Sequence, residues 1–338
     1  MIIKLYSKEI NSNVGGGFTY LSSFIKFFKQ QAGGEVCFHK YYSCSSRFQQ
    51  LIFALNRVFG DLKYDCILFK SNYIPGLCLN KRAVMIVDFP FKQKLSLWEQ
   101  VKLRRISHII CNSEYTASFI YKYWNKKAFV LYPPSMDFTD QTKAKKKYIL
   151  NVGRFVNSSR SKRQDVLVEA FIQLYSSGTL DDYTLILAGF VQNEAYLGEL
   201  KAMCIGYPIV FHENADTPLL RTLYNESTIY WHACGYEVNI EQNPAHAEHY
   251  GIAVADAMAA GCVTIVHNSG GPAELVHAPD YGLVWETVDE LADLTAGITA
   301  DSLLIQRYAT KAKSMSKKFS EEEFILKLER LFKSEAND

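Results

Sequence analysis

Short apolar segments alternate with helical patterns along this chain, and the alternation runs through twice. In the first half, Ile2–Tyr6, Val36–Tyr41, Cys66–Phe69, Ala83–Val87 and His108–Cys111 are short runs rich in β-branched and aromatic residues, the composition of strands. Between them Phe18–Gln30, Phe48–Phe59, Leu95–Arg105 and Glu114–Trp124 carry helical periodicity. Strands separated by helices predict a parallel sheet covered on both faces. The pattern breaks at Tyr132-Pro-Pro-Ser-Met-Asp137, and polar Thr139–Lys147 predicts a linker. It restarts with strand Tyr148–Val152, helix Asp165–Tyr175, strand Tyr183–Leu187, helix Glu194–Cys204 and strand Ile209–Phe211. Helix Pro218–Glu226, strand Thr228–His232, helix Ile252–Ala260 and strand Val263–His267 follow. The fold class is therefore α/β: two doubly wound, Rossmann-like domains, 1–138 and 139–319, facing across a cleft. A final amphipathic helix, Glu321–Phe332 within 320–338, is capped by Ser320 and is expected to pack back on the first domain. The long Gly235–Ala247 segment predicts a functional loop or lid.

Composition narrows the function classes. With 48% hydrophobic and 21% charged residues, the 338-residue chain has the balance of a soluble globular protein. It has no run of about 18 apolar residues, so no spanning helix is expected. The start, Met-Ile-Ile-Lys-Leu-Tyr-Ser, lacks the apolar core of a signal peptide. Eight scattered cysteines without a framework spacing predict reduced thiols in a cytoplasmic protein. The net charge of +2 hides an asymmetry: residues 1–146 hold 22 Lys and Arg against 9 Asp and Glu, whereas 147–338 hold 15 against 26. A basic half suits membrane headgroups, nucleic acid or a phosphorylated acceptor, or it is simply a solvated face.

Four groups of residues could carry chemistry. Glu248-His-Tyr-Gly-Ile-Ala-Val-Ala-Asp256 places two acids eight apart across a loop-to-helix junction. Carboxylates there can meet sugar and ribose hydroxyls, and the helix start can meet a diphosphate; for Asp256 alone, a dipole-favoured acid in a first helical turn is the plainer reading. Arg154, after the strand, and Lys162, before a helix, can pin a pyrophosphate and neutralise charge on a leaving group. Asn11-Ser-Asn-Val-Gly15-Gly16-Gly17 lets backbone approach a phosphate or sugar, or forms only a turn. It is not GxGxxG, and the second strand runs into Tyr41-Tyr42-Ser43 without a ribose-binding acid, so a dinucleotide reading fails. His267-Asn-Ser-Gly270-Gly271-Pro272 is a second glycine loop that either nears a ligand or merely turns the chain. His246 and His249, or His232 with Cys234, match no zinc spacing, and no metal site is expected.

Taken in order, Val152-Gly-Arg154, Lys162 through Phe171, Glu248 through Gly261 and Ser269-Gly-Gly-Pro-Ala-Glu274 resemble the family 4 retaining glycosyltransferases of the GT-B fold. Tyr132-Pro-Pro, His232 and His267-Asn-Ser-Gly-Gly-Pro are similar to the eukaryotic mannosyltransferases that extend lipid-linked oligosaccharides. The resemblance implies that Arg154 and Lys162 bind the donor diphosphate and that Glu248 faces the transferred sugar. It implies further that amides around Tyr250, Gly251 and Ile252 assist, that Gly16 and Gly17 line the donor, and that Asp88 lies against the sugar. Asp256 stands where the family has Glu on the ribose. The implied activity is retaining hexosyl transfer from a nucleoside-diphosphate sugar, with the leaving phosphate taking the acceptor proton. It needs no metal or other cofactor, since no Asp-x-Asp occurs, and GDP-mannose is favoured over a UDP-sugar. The expected acceptor is a glycan or lipid-linked sugar, with a peripheral site at the inner face of an anionic membrane and no nucleic acid. Aromatics Phe24, Phe27 and Phe28 beside Lys26 and Lys29, and the cations of Leu95–Arg105, suit a membrane surface, with core packing the plainer reading for the three phenylalanines. Two alternatives remain: a nucleotide-sugar 2-epimerase of the same fold, or a non-catalytic polyanion-binding protein.

Overall fold

The computed structural model describes residues 2–7, 16–30, 35–39, 58–138, 144–158, 161–276 and 281–334. The helix expected over 48–57, the Asn11–Gly15 part of the first glycine loop and the 139–143 part of the linker lie outside these residues. The chain forms two compact units, Met1–Pro134 with Phe324–Asp338, and Ser135–Glu323.

The first unit is a six-stranded parallel sheet in the order β2-β1-β3-β4-β5-β6. Its strands are β1 (Ile2–Ser7), β2 (Glu35–His39), β3 (Cys66–Lys70), β4 (Ala83–Val87), β5 (His108–Cys111) and β6 (Phe129–Val130). Every residue of β3 and β4 is buried, because both sheet faces are covered. Alternation divides β3 between two cores. Cys66 and Leu68 join Leu5, Phe24, Phe28 and Ile86, whereas Ile67 and Phe69 join Tyr6, Met85, Ile109 and Trp124. Helix α1 (Gly16–Gln30) supplies Phe24, Phe27 and Phe28 to the first core. Those three phenylalanines are buried, which is the core reading of the two, and their spacing serves helix-to-sheet packing. Helices α2 (Leu97–Leu103) and α3 (Glu114–Trp124) also lie in this unit. Each begins at a serine, Ser96 or Ser113, whose hydroxyl accepts the third amide of the helix.

The second unit repeats the architecture with the order β12-β11-β10-β7-β8-β9. The strands are β7 (Lys146–Val152), β8 (Thr184–Gly189), β9 (Ile209–Glu213), β10 (Ser227–His232), β11 (Val263–His267) and β12 (Leu283–Trp285). All are parallel; β10 and β11 pair from Ile229 with Val263 to His232 with Val266. Helices α4 (Gln164–Ser176), α5 (Glu194–Met203), α6 (Thr217–Glu226), α7 (Ile252–Ala259), α8 (Gly270–Val276), α9 (Val288–Thr299) and α10 (Ser302–Ser316) complete it. Lys146 and Lys147, expected in the linker, are instead the exposed start of β7, where charged side chains reach water. Helix α11 (Glu321–Ser334) follows, and its Phe324, Leu328 and Leu331 lie in the first unit's core, with Phe324 edge-on to Phe24 at 5.3 Å.

Candidate functional site

The site grows from the carboxyl ends of the central strands of the second unit, where open α/β sheets bind ligands. β7 ends at Val152, and Gly153 follows, its amide donating to the Ala188 carbonyl at 2.9 Å. The Lys162 side chain crosses directly over Gly153: a Cβ there would lie 2.7 Å from Lys162 Cγ. Glycine at 153 is therefore what lets this lysine reach inward. Its ammonium forms an ion pair with the Glu248 carboxylate, 86 residues away in sequence.

This pair is the electrostatic centre of the site. Burial favours the neutral form of Glu248, but the Lys162 ammonium outweighs it and holds the carboxyl at about 2. Burial likewise opposes the charge on Lys162, and Glu248 more than restores it, raising the ammonium above its ordinary value. Both groups are therefore charged across the whole neutral range. His232, the last residue of β10, sits in the same field. Burial, with a further push from Lys162, lowers its imidazole to about 3 despite Glu248, so it is neutral.

The loop carrying Glu248 is fixed by the second glycine pair. The Gly271 amide donates to the Glu248 carbonyl at 2.9 Å, and a Cβ on Gly271 would fall 2.5 Å from Tyr250 Cα. Gly270 takes a left-handed φ of 65° and packs on the Glu248 carbonyl. These glycines thus hold the carboxylate's backbone, a role between the two expected ones. Tyr250 is buried against Phe319 at 6.4 Å. Gly251 caps α7, and Ile252 opens it, so the amides of this turn face the N-terminal end of the helix.

Other expected residues bond to other partners, though Arg154 is near enough to act electrostatically on Lys162. Arg154 is exposed, and its guanidinium donates to Gln192 at 3.0 Å. Asp256 lies in the second turn of α7, not the first, so dipole stabilisation in a first turn does not account for it. It is 5% exposed, and one carboxylate oxygen accepts the Met136 amide at 2.8 Å. Burial, only partly offset by that bond, pushes its carboxyl up to about 7. In the first unit, Gly16 and Gly17 begin α1, and Asp88 follows β4, where it forms an ion pair with buried Lys70. Arg163, beside the motif lysine, anchors a loop, a role that no sequence pattern announces. This residue has a left-handed φ of 52°, bonds Asp165 at 3.1 Å, and reaches the Tyr236 carbonyl at 3.1 Å and Glu237 at 2.9 Å. It clamps the 235–247 loop, and a cavity of about 450 Å³ opens there among Ser158, Arg163, Tyr236, Asn239, Asn243 and His246.

Residues 135–332 match the family described as Glycosyl transferases group 1. The chain belongs to that family. Over 240 residues it is 27% identical to the GDP-Man:Man(3)GlcNAc(2)-PP-Dol alpha-1,2-mannosyltransferase of Xenopus laevis, covering 64% of this chain and 46% of that protein. The human enzyme of the same name is 25% identical over 253 residues, 67% of this chain and 49% of that protein. The chain thus spans about half the length of the curated relatives it matches. The crystal structure of Anabaena HepE in complex with UDP and glucose superposes with a TM-score of 0.69 at 16% identity, covering 99% of this chain and 100% of that one. Sucrose-phosphate synthase from Thermosynechococcus elongatus superposes at 0.72 with 16% identity, covering 98% of each chain. At such low identity these two likenesses show the fold, which is GT-B, as the motifs implied.

Proposed function

We propose that this chain transfers a hexose from a nucleoside-diphosphate sugar to a glycan or lipid-linked acceptor, retaining anomeric configuration. The Lys162–Glu248 pair over Gly153 carries the reading. It offers one permanent cation and one permanent anion at the carboxyl edge of a parallel sheet, the two charges that a sugar diphosphate needs. A donor phosphate would take Glu248's place on Lys162, and the released carboxylate would accept a sugar hydroxyl. As the bond from the anomeric carbon to the diphosphate oxygen breaks, its electron pair stays on that oxygen, where Lys162 stabilises it. The acceptor oxygen bonds the same face of the carbon, and its proton passes to the leaving phosphate. Paired with Lys162, Glu248 is ionised at neutral pH, so the proposal gives it the sugar hydroxyl and leaves the acceptor proton to the phosphate. Lys162 and Arg154 supply the positive charge that a metal would supply in other enzymes, so no cofactor is proposed.

GDP-mannose is the favoured donor, since the Xenopus relative's name carries it, and UDP-glucose is the comparison because HepE is complexed with UDP and glucose. Proton NMR of reactions with each donor tests the proposal. Expected is an α-linked product from one of these α-linked donors, with turnover unchanged by a chelator. A β-linked product would overturn retention, and no nucleotide release from any donor would overturn the function.

The acceptor side of the proposal includes an anionic membrane. In the first unit, α2 exposes Leu97 (81%), Trp98 (58%) and Val101 (43%) beside Lys94, Lys102, Arg104 and Arg105. Its one acid, Glu99, is held at about 2 by a hydrogen bond from Lys92 and by the Ser96 cap, so it is spent within the protein. Apolar side chains ringed by cations suit an interfacial surface. Among the described residues no helix is long and apolar enough to cross a membrane. Trp98→Ala combined with Arg104→Glu is expected to lower co-sedimentation with phosphatidylserine vesicles at least tenfold. Binding indifferent to both the substitutions and the anionic lipid would remove the membrane from the account.

A further inference from the structure

His232 is the least explained polar group of the second unit. It is 4% exposed, and neither ring nitrogen has a hydrogen-bond partner among the described residues. A buried donor left unpaired costs stability, so an imidazole in this position works against folding unless something else uses it. A phenylalanine would fill the same space without that cost. Its position narrows what could use it. Trp231, one residue earlier, points into the core cluster; His232 alternates to the other face of β10 and closes the strand at its carboxyl end. There its ring lies within the electrostatic reach of both Glu248 and Lys162. The neighbouring Tyr230, on the same face, spends its hydroxyl on the Val152 carbonyl at 3.3 Å, whereas the His232 ring is not committed in this way.

We propose that His232 is a specificity-determining contact to the transferred sugar, with one ring nitrogen donating to, or accepting from, a sugar hydroxyl. This rests on the donor-sugar reading of the site above. The choice of a hydroxyl follows from charge. The imidazole is neutral at working pH, because burial pushes it down to about 3. It offers one donor and one acceptor, which match a hydroxyl and not a dianionic phosphate. Lys162 already answers the phosphate. A neutral group wedged beside an ion pair reads the uncharged part of the ligand, and a site that must satisfy a buried hydrogen bond rejects an analogue lacking it far more strongly than an apolar pocket does.

His232→Phe and His232→Asn, made in the full chain, test this by calorimetric titration with GDP, UDP, GDP-mannose and UDP-glucose, and by steady-state transfer. His232→Phe is expected to bind the nucleoside diphosphate as wild type does. It should lose at least tenfold in affinity for the matching nucleotide-sugar and at least tenfold in kcat/KM. His232→Asn, which keeps a donor and an acceptor, is expected to recover part of both. His232→Phe is also expected to melt no lower than wild type, since an apolar ring removes the unpaired nitrogens. Equal sugar affinity and turnover in wild type and His232→Phe would overturn the inference and leave the function standing, as would equal loss for the diphosphate and its sugar. Wild-type protein that binds none of the four ligands would instead defeat the donor-sugar reading on which the inference depends.

Discussion

Glu248→Gln is expected to lower hexose transfer by about two orders of magnitude while leaving nucleoside diphosphate affinity equal or higher. The two effects separate because the carboxylate has two relations in this structure. Towards the sugar it is the permanent anion of the site. Towards Lys162 it is a competitor of the donor phosphate, since the ammonium must leave Glu248 to meet the ligand. Glutamine removes the charge and the competition together. Lys162→Ala acts differently. It strands a partly buried carboxylate and should destabilise the protein by roughly 2 kcal/mol at neutral pH, below the range for fully buried pairs because both side chains keep some exposure. The pH dependence follows from Glu248, whose carboxyl is held at about 2 against an ordinary 4.5. A depressed carboxyl contributes stability that is present above about pH 4.5 and lost as pH falls towards 2. In Lys162→Ala that acid-sensitive increment should shrink, which thermal melts at pH 3 and pH 7 measure. A Glu248→Gln variant with full turnover would show that the carboxylate does not face the reacting sugar.

Asp256→Asn is expected to stabilise the protein at pH 8 and leave its stability unchanged at pH 3. The native carboxyl sits at about 7, whereas an unfolded aspartate titrates near 3.8. Below about pH 3 both states carry the proton, and the group costs almost nothing. Between pH 4 and 7 the unfolded chain releases its proton while the native protein keeps it, so stability falls as pH rises through that window and is flat above it. Asparagine removes the titration and keeps an oxygen to accept the Met136 amide, so the packing of α7 against residue 136 survives. A gain of about 1–2 kcal/mol corresponds to roughly 3–6 °C in melting temperature at pH 8. A lower melting temperature at pH 8 would mean that the native protein uses the negative charge. The same variant checks the role proposed for Asp256 on the donor ribose: there, loss of the anion should weaken nucleoside diphosphate binding about tenfold.

The fold was legible wherever burial imposes a continuous apolar run. Ala83–Val87, His108–Cys111 and Val263–His267 are strands to the residue, because both of their faces are covered. Edge strands of two or three residues, Phe129–Val130 and Leu283–Trp285, are too short to form a pattern. Helix Val288–Thr299 was missed although Thr287 and Glu290 mark its start; Thr287 accepts the Glu290 amide at 3.2 Å. The family motifs named Lys162 and Glu248, but nothing local pairs residues 86 apart, nor Asp256 with an amide 120 residues away. Glycine pairs announce close approach without saying to what. Here the approach is to the backbone of Glu248 and Tyr250. Arg163 was hidden for a related reason: a cation beside a motif lysine looks like part of the same phosphate site until its acidic partners, Asp165 and Glu237, are seen.

The central claim is that Lys162 and Glu248 form a donor site, with the lysine on the diphosphate. Calorimetric titration of wild type and Lys162→Ala with GDP and UDP tests it most directly. The account predicts that wild type binds one of the two nucleotides at micromolar concentrations and that Lys162→Ala binds it at least tenfold more weakly, a difference of about 1.4 kcal/mol or more. Equal affinity in the two proteins, or no binding of either nucleotide to wild type, would contradict it.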